Sequence, residues 1–248
     1  MFHTSAYLAA ATAAVNFDST AIADSIMLVQ NGHFVPQMDM GVAYAKLNGV
    51  TGLRGRITSP SIRQISPVFI RPIDAALLPA TLARPADWRK NPLRLKALEE
   101  VAVEVTNSAA GPNNMYTVLG LAIGAIGPIP NGDIFSMRGT GATTVAASLW
   151  TQCAITWADT LPNGRYAVVG LNAFGTTAIA ARLVFQETPW RPGCVAGATG
   201  VVIQDEMFRN GGLGVWGVFN NYGMPNVEFL CNAADTAQEV YMDLIRIG

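Results

Sequence analysis

The chain nearly repeats itself at half its length, and no other feature limits its fold so strongly. VEVTNSAAGPNNMYTVLGLAIG ends at Gly124, and VEFLCNAADTAQEVYMDLIRIG ends at Gly248. Val103-Glu104 aligns with Val227-Glu228, Ala109-Ala110 with Ala233-Ala234 and Gly124 with Gly248, each at an offset of 124. Tyr116 and Tyr241 fall one position further apart. Upstream, Tyr44-Ala45 and Leu47-Asn48 match Tyr166-Ala167 and Leu171-Asn172 at offsets of 122 and 124, and Arg71-Pro72 matches Arg191-Pro192 at 120. Matches that keep their order at almost one offset predict two similar structural units of about 120 residues each. The seam falls near Ile126–Asn131, where GPIPNGD gathers Pro, Gly and Asn into a connector.

The texture within each half is that of short strands. Runs of β-branched and aromatic residues recur at Ile26–Gln30, Val42–Leu47, Ile62–Ile70, Val101–Thr106, Met115–Ile123, Tyr166–Leu171, Ile179–Phe185, Leu213–Phe219, Val227–Cys231 and Val240–Ile247. In the last, Val240, Met242, Leu244 and Arg246 share one face, with Tyr241, Asp243, Ile245 and Ile247 on the other. Asn31-Gly32, Asn131-Gly132, Asn163-Gly164 and Asn210-Gly211-Gly212 stand between runs as turn signals, because both residue types accept positive φ. Many short strands with such punctuation indicate sandwiches or barrels, not βαβ units. The expected architecture is all-β, with two tandem antiparallel eight-stranded sandwiches over residues 21–126 and 127–248. Ala-rich Ser5–Val15 is expected to be a short helix within an N-terminal arm over residues 1–20, since Ala is the best helix former.

Composition narrows the function. Half of the 248 residues are apolar and only 13% are charged, against about 25% in an ordinary soluble domain. Disorder needs the opposite balance. So few charges leave a lone monomer's surface weakly hydrated, and cover by partner subunits is the expected remedy. No run reaches the ~18 apolar residues of a spanning helix, and the N-terminus lacks the basic flank of a secretory signal. A net charge of −1 argues against a protein built to grip phosphates. Cys153, Cys194 and Cys231 are odd in number and widely spaced, so they are expected to be free thiols matured in a reducing cytoplasm.

Motifs for chemistry are sparse. His3 and His33 are the only histidines, with no zinc-type spacing and no G-x-S-x-G elbow. Glu99-Glu100 and Asp205-Glu206 are the acids a glycoside hydrolase would need, but adjacent acids point to opposite faces of a strand; solvated turn or edge positions account for them, with a glycosidase pair or a Ca²⁺ contact at Asp205-Glu206 as the alternatives. Gly139-Thr140-Gly141 completes no phosphate-binding motif and reads as a loop between strands. Arg84–Glu104 holds nine of the thirty-three charged residues, but its acids offset its bases, so it reads as a solvated linker or short helix. No catalytic, cofactor-binding or metal-binding residue is assigned, and the chain is not read as an enzyme.

The duplicated blocks VEVTNSAAGPNNMY and VEFLCNAADTAQEVY, the paired YA-LN stretches at Tyr44 and Tyr166, and GRYAVVGLNAFGTTAIAARLVF followed by PWRPG resemble the double jelly-roll major capsid proteins of tailless icosahedral viruses with an internal membrane. That resemblance implies two jelly rolls, a homotrimer forming a pseudo-hexameric capsomer, contact with neighbouring capsomers, and a place in the virion after assembly in the host cytoplasm. The first 45 residues contain no Lys or Arg, so no basic arm reaches a genome; no sequence-specific nucleic-acid binding is expected, and the N-terminal arm would lie against the membrane. The second reading is a carbohydrate-binding or fibre-type β-sandwich in which Trp88, Trp150, Trp157, Trp190 or Trp216 stacks on sugars. Trp190 next to Arg191 could equally anchor a partner.

Overall fold

The computed structural model describes residues 2–11, 15–17, 28–29, 32–34, 39–48, 54–63, 68–70, 86–106, 113–123, 128–147, 149–186, 191–198, 208–231 and 233–248. The chain divides into two compact units, His3–Ala125 and Ile126–Gly248, with Met1–Phe2 grouped with the latter. Both are built almost wholly of β-strands, nearly all paired antiparallel.

The strands of the first unit are β1 (Phe2–Ala11), β2 (Val15–Phe17), β3 (Leu28–Val29), β4 (Gly32–Phe34), β5 (Met40–Asn48), β6 (Arg54–Thr58), β7 (Val68–Ile70), β8 (Ala86–Asp87), β9 (Leu93–Leu95), β10 (Glu100–Thr106) and β11 (Asn113–Ala122). One sheet runs β1-β11-β5-β8 with β9 also on β5; the other runs β3-β4-β10-β6-β7 with β2 also on β10. In the second unit the strands are β12 (Ile134–Gly141), β13 (Thr151–Cys153), β14 (Ile155–Trp157), β15 (Arg165–Gly175), β16 (Ala178–Val184), β17 (Gly193–Val195), β18 (Gly197–Ala198), β19 (Gly217–Asn220), β20 (Asn226–Cys231) and β21 (Gln238–Arg246). They form the sheets β14-β12-β21-β15-β18, with β19 also on β15, and β13-β20-β16-β17. Instead of eight strands each, the units carry eleven and ten among the described residues. Eight in each hold matching positions: β1-β11-β5-β9 corresponds to β12-β21-β15-β19, and β2-β10-β6-β7 to β13-β20-β16-β17. The surplus strands are short additions that pair at the sides of these ladders.

The register gives the repeat its physical content. Val103 pairs with Ile57 and Glu104 with Arg56; Val227 pairs with Leu183 and Glu228 with Arg182. On the other side Glu104 meets Asn16 and Glu228 meets Gln152. Each unit therefore lays an amide, a carboxylate and a guanidinium residue across three adjacent strands. Tyr116 stands opposite Asn48, and Tyr241 opposite Asn172. The Tyr44-Ala45 match slips by one ladder position, because the extra residue of the bulge is Ala43 in β5 and Val169 in β15. Arg71-Pro72 and Ala109-Ala110 lie outside the described residues.

Several expectations are corrected. Phe2–Ala11 is a strand hydrogen-bonded to β11, not a helix; a neighbouring strand that offers a full ladder outweighs the modest helix preference of alanine. Ile62–Ile70 is broken, because Ser59 and Pro60 start the four-residue helix α1 (Pro60–Arg63). The Ser59 hydroxyl accepts the Ile62 N–H at 3.2 Å, and proline at the first helical position loses no hydrogen bond. Gly139-Thr140-Gly141 lies inside β12, where a Cβ on Gly139 would stand 2.4 Å from Ile155 and 2.8 Å from Trp157. Arg84–Glu104 forms β8 and β9 with turns and leads into β10, and contains no helix among its described residues. Leu213 precedes β19 in a turn.

In the second unit one face of β21 (Val240, Met242 and Leu244) closes on Met137, Val168, Leu171 and Ala173, all buried. Each such Val, Leu or Met contributes about 1.5–3 kcal/mol by leaving water. The bulge at Val169 also organises the surrounding loop: the Val169 carbonyl accepts the Gly211 N–H at 2.7 Å, and the Val168 carbonyl accepts the Trp216 N–H at 2.8 Å. Asn210 (φ 51°) and Gly211 (φ 74°) make the left-handed turn that this requires.

Because β1 and β2 belong to different sheets of the first unit, deleting residues 1–17 strips a strand from β11 and another from β10. The expected result is loss of the first unit's folded core, seen as rapid proteolysis within residues 18–125 while 126–248 stays resistant. A truncated protein that melts like the full chain would contradict this placement.

Candidate functional site

Some of the charged residues in the described part of the chain form buried or half-buried clusters, while others, Arg94, Asp133 and Arg165 among them, are exposed. The first lies on β16 and β20. Arg182 is 1% exposed and donates from Nε to Glu228 Oε2 at 2.6 Å. Arg191 reaches the same oxygen at 3.5 Å, and the Arg182 guanidinium lies 4.2 Å from the ring centre of Trp150. An isolated guanidinium in this position would be expensive to desolvate; the carboxylate and the aromatic face offset that cost. The signal in the sequence is one arginine inside the apolar run AIAARLVF, opposite the repeated Val-Glu pair.

The second cluster centres on Asp243, which is fully buried on β21. It accepts Arg209 Nε at 2.6 Å and Arg209 Nη2 at 2.8 Å, the Asn210 N–H at 3.0 Å, and the Ser136 hydroxyl. Gly170 faces it across the ladder, where a Cβ would come within 2.5 Å of the carboxylate and 3.0 Å of the Arg209 Cα and Phe208 carbonyl. Glycine is what lets this loop lie down on the strand. Beside it, Arg138 Nε and the Tyr241 hydroxyl both donate to Glu239 at 2.6 Å. The Tyr241 bond, aided by Arg138, holds Glu239 below the usual carboxylate range and pushes Tyr241 up.

The third centre, Asp235, ties the connections at one end of the second unit. Its carboxylate accepts the Thr177 N–H at 2.7 Å and the Ala237 N–H at 2.9 Å, while its backbone bridges Val145. In the first unit Glu99 is buried, contrary to its reading as a solvated turn acid. It accepts the Ser61 N–H, the Ser61 hydroxyl at 2.8 Å and the Lys96 N–H at 2.8 Å. Burial alone would raise its pKa; these donors outweigh that and hold it below the usual range. This burial leaves no mark in the local pattern, because Ser61 lies in a helix 38 positions away and only the turn donor Lys96 is close in sequence. Each of these carboxylates is committed to donors of the chain itself: Asp243 and Asp235 hold loops to strands, Glu228 and Glu239 join neighbouring strands, and Glu99 joins a helix to a turn.

The other singled-out residues do not converge. His3 is in β1, and His33 is in β4 in register with Leu28 and Val101. Among the described residues no group of three or more His, Cys, Asp or Glu is placed to hold a metal ion, and no helix is long and apolar enough to cross a membrane. Asp205-Glu206 and Trp190 lie outside the described residues. Trp150 is covered by Arg182, Trp157 lies against Gly139, and Trp216 is buried edge-on to Phe208 at 6.4 Å. These rings already pack against the chain's own residues; Trp88 is half-buried between β8 and β9.

Cys153, Cys194 and Cys231 are buried and form no disulfide. Burial pushes Cys153 up to about 11 and Cys231, with the Asp235 carboxylate adding to it, up to about 12. Comparison with known protein families, curated proteins and solved structures finds no match to the chain.

Arg182→Ala leaves Glu228 without its closest partner and is expected to destabilise the second unit by about 3–5 kcal/mol, whereas the double change with Glu228→Gln recovers part of the loss in a thermal-melt cycle. At pH 8 roughly one Cys153 thiol in a thousand is ionised. Native Cys153 and Cys231 should therefore resist a disulfide-exchange reagent for hours, then react at once in denaturant.

Proposed function

We propose that this chain is the major capsid protein of a tailless icosahedral virus, with two jelly-roll sandwiches in one polypeptide, working as a homotrimeric pseudo-hexameric capsomer. The observation that carries the reading is the shared ladder order of the two units. Lettering the eight matched strands B to I along the chain, each unit reads B-I-D-G in one sheet and C-H-E-F in the other. That is the order of the jelly roll, an architecture recurrent in viral capsids. The repeated register of the amide, carboxylate and guanidinium rung supports descent of both units from one sandwich.

The physical case for assembly is the scarcity of charge. Of the 13% charged residues, many in the second unit are spent on internal pairs such as Arg182–Glu228 and Arg209–Asp243. That lowers the number left to hydrate the outside, and obligate interfaces, commonly above ~2,000 Å², reduce that need. A rigid β framework suits a shell subunit, since its loops vary without disturbing its sheets. Assembly in the host cytoplasm is consistent with cysteines that form no disulfide.

Sedimentation and electron microscopy of the purified full-length protein test this. Trimers that close into shells or curved sheets are the expected result. A chain that stays a monomer at high concentration removes the capsid reading, and a trimer that binds glycans but never forms shells selects the carbohydrate-binding alternative.

A further inference from the structure

Five Asn-Gly pairs occur in the chain, at Asn31, Asn48, Asn131, Asn163 and Asn210, and such a pair is chemically labile as well as a turn signal. The backbone nitrogen of the glycine can attack the side-chain carbonyl of the asparagine, because no Cβ on the glycine obstructs the approach. Asn31 and Gly49 lie outside the described residues. The other three pairs, all in the second unit, are held in different ways.

At Asn163-Gly164 both reacting groups are occupied. The Gly164 N–H donates to Asn221 Oδ1 at 3.2 Å, and Asn163 Oδ1 accepts from Asn221 Nδ2 at 3.1 Å. The Asn163 carbonyl also accepts from Arg246 Nη2 at 2.7 Å, which fixes the peptide group that would have to turn. At Asn210-Gly211 the attacking nitrogen is committed, since the Gly211 N–H donates to the Val169 carbonyl at 2.7 Å. The Asn210 N–H is itself bonded to the buried Asp243. A bonded N–H has to break its bond before it can lose its proton and attack.

Asn131-Gly132 has none of this protection. Both residues are exposed, and neither the Asn131 amide nor the Gly132 N–H is hydrogen-bonded among the described residues. The glycine is nevertheless required: its φ is 151°, and a Cβ there would stand 2.7 Å from Ile245 Cγ2. The pair also lies between two anchors. Ile129 rests against Gly211, where a Cβ would come within 2.6 Å of it, and Gly132 rests against Ile245 just before β12 begins.

We propose that Asn131 is a site of spontaneous deamidation, left open by the fold where the two other described pairs are closed. Base removes the Gly132 N–H proton, the nitrogen bonds to Asn131 Cγ, and the bond from Cγ to the side-chain nitrogen breaks with release of ammonia. Water then opens the five-membered succinimide at either of its two carbonyl–nitrogen bonds. One opening leaves aspartate; the other leaves isoaspartate, whose backbone runs through the side-chain carbon. Either product adds a negative charge beside exposed Asp133, in a chain whose formal net charge is −1. Isoaspartate also lengthens the backbone between the anchors at Ile129 and Gly132, at the entrance to β12. The inference rests on the fold of the second unit alone.

The test is ageing of the purified full-length protein in mildly alkaline buffer, followed by peptide mapping with fragmentation that separates isoaspartate from aspartate. In the folded protein Asn131 should convert about tenfold or more faster than Asn163 and Asn210, the factor that one or two protecting hydrogen bonds supply. In denaturant the three should convert at similar rates. N221A, which removes both side-chain bonds at Asn163-Gly164, should speed Asn163 and leave Asn131 unchanged. Asn131 staying intact in the folded protein while the denatured chain deamidates would overturn the inference, as would Asn163 or Asn210 keeping pace with it. So would an N221A protein of wild-type melting profile in which Asn163 reacts no faster, because hydrogen bonding would then not set the order.

Discussion

The last strand of each unit lies between strands from much earlier in the chain, and the rest of the architecture depends on that placement. β21 is bonded to β12 on one side and β15 on the other, so its ladder to β12 joins residues about a hundred positions apart. Until β21 is seated, β12 and β15 share no sheet, and Met137, Val168 and Leu171 have no Val240, Met242 and Leu244 to close on. β11 plays the same part between β1 and β5. In both units cohesion is therefore non-local, and a terminal segment is an integral member of a sheet.

That constraint explains where the charges went. A central strand is covered on both faces, yet β21 carries Asp243 and β16 carries Arg182 in covered positions. Each is tolerated because its partners come from a loop or a neighbouring strand: Arg209 and Asn210 for Asp243, Glu228 and Trp150 for Arg182. The pairs work as pins. They specify which loop lies on which strand, a choice that apolar contact alone leaves loosely defined. A chain that spends its charges this way has fewer for its own surface, which links the internal economy of the fold to the proposal that neighbouring subunits cover it.

Particular residues show how far the sequence could be read. The repeated Val-Glu pairs, Leu47-Asn48 with Leu171-Asn172, and the alternation through Val240, Met242 and Leu244 were legible because strand pairing preserves a period of two and equivalent rungs preserve residue type. Glu99 was not legible as a buried acid, since its donors Ser61 and Lys96 become neighbours only when the helix and the turn meet.

By itself the sequence determined that the chain is all-β, that its halves correspond, and that its cysteines belong to no disulfide framework. All three follow from local pattern and count. The tertiary structure decided that an alanine-rich segment is a strand, that Ser59 and Pro60 cut a strand with a helical turn, that Gly139 and Gly170 are seats for neighbouring side chains and backbone, and which charges are buried. Those outcomes depend on which distant segment arrives beside each residue. A ladder partner overrides helix preference, and a carboxylate with several donors is stable where an unpartnered one is not.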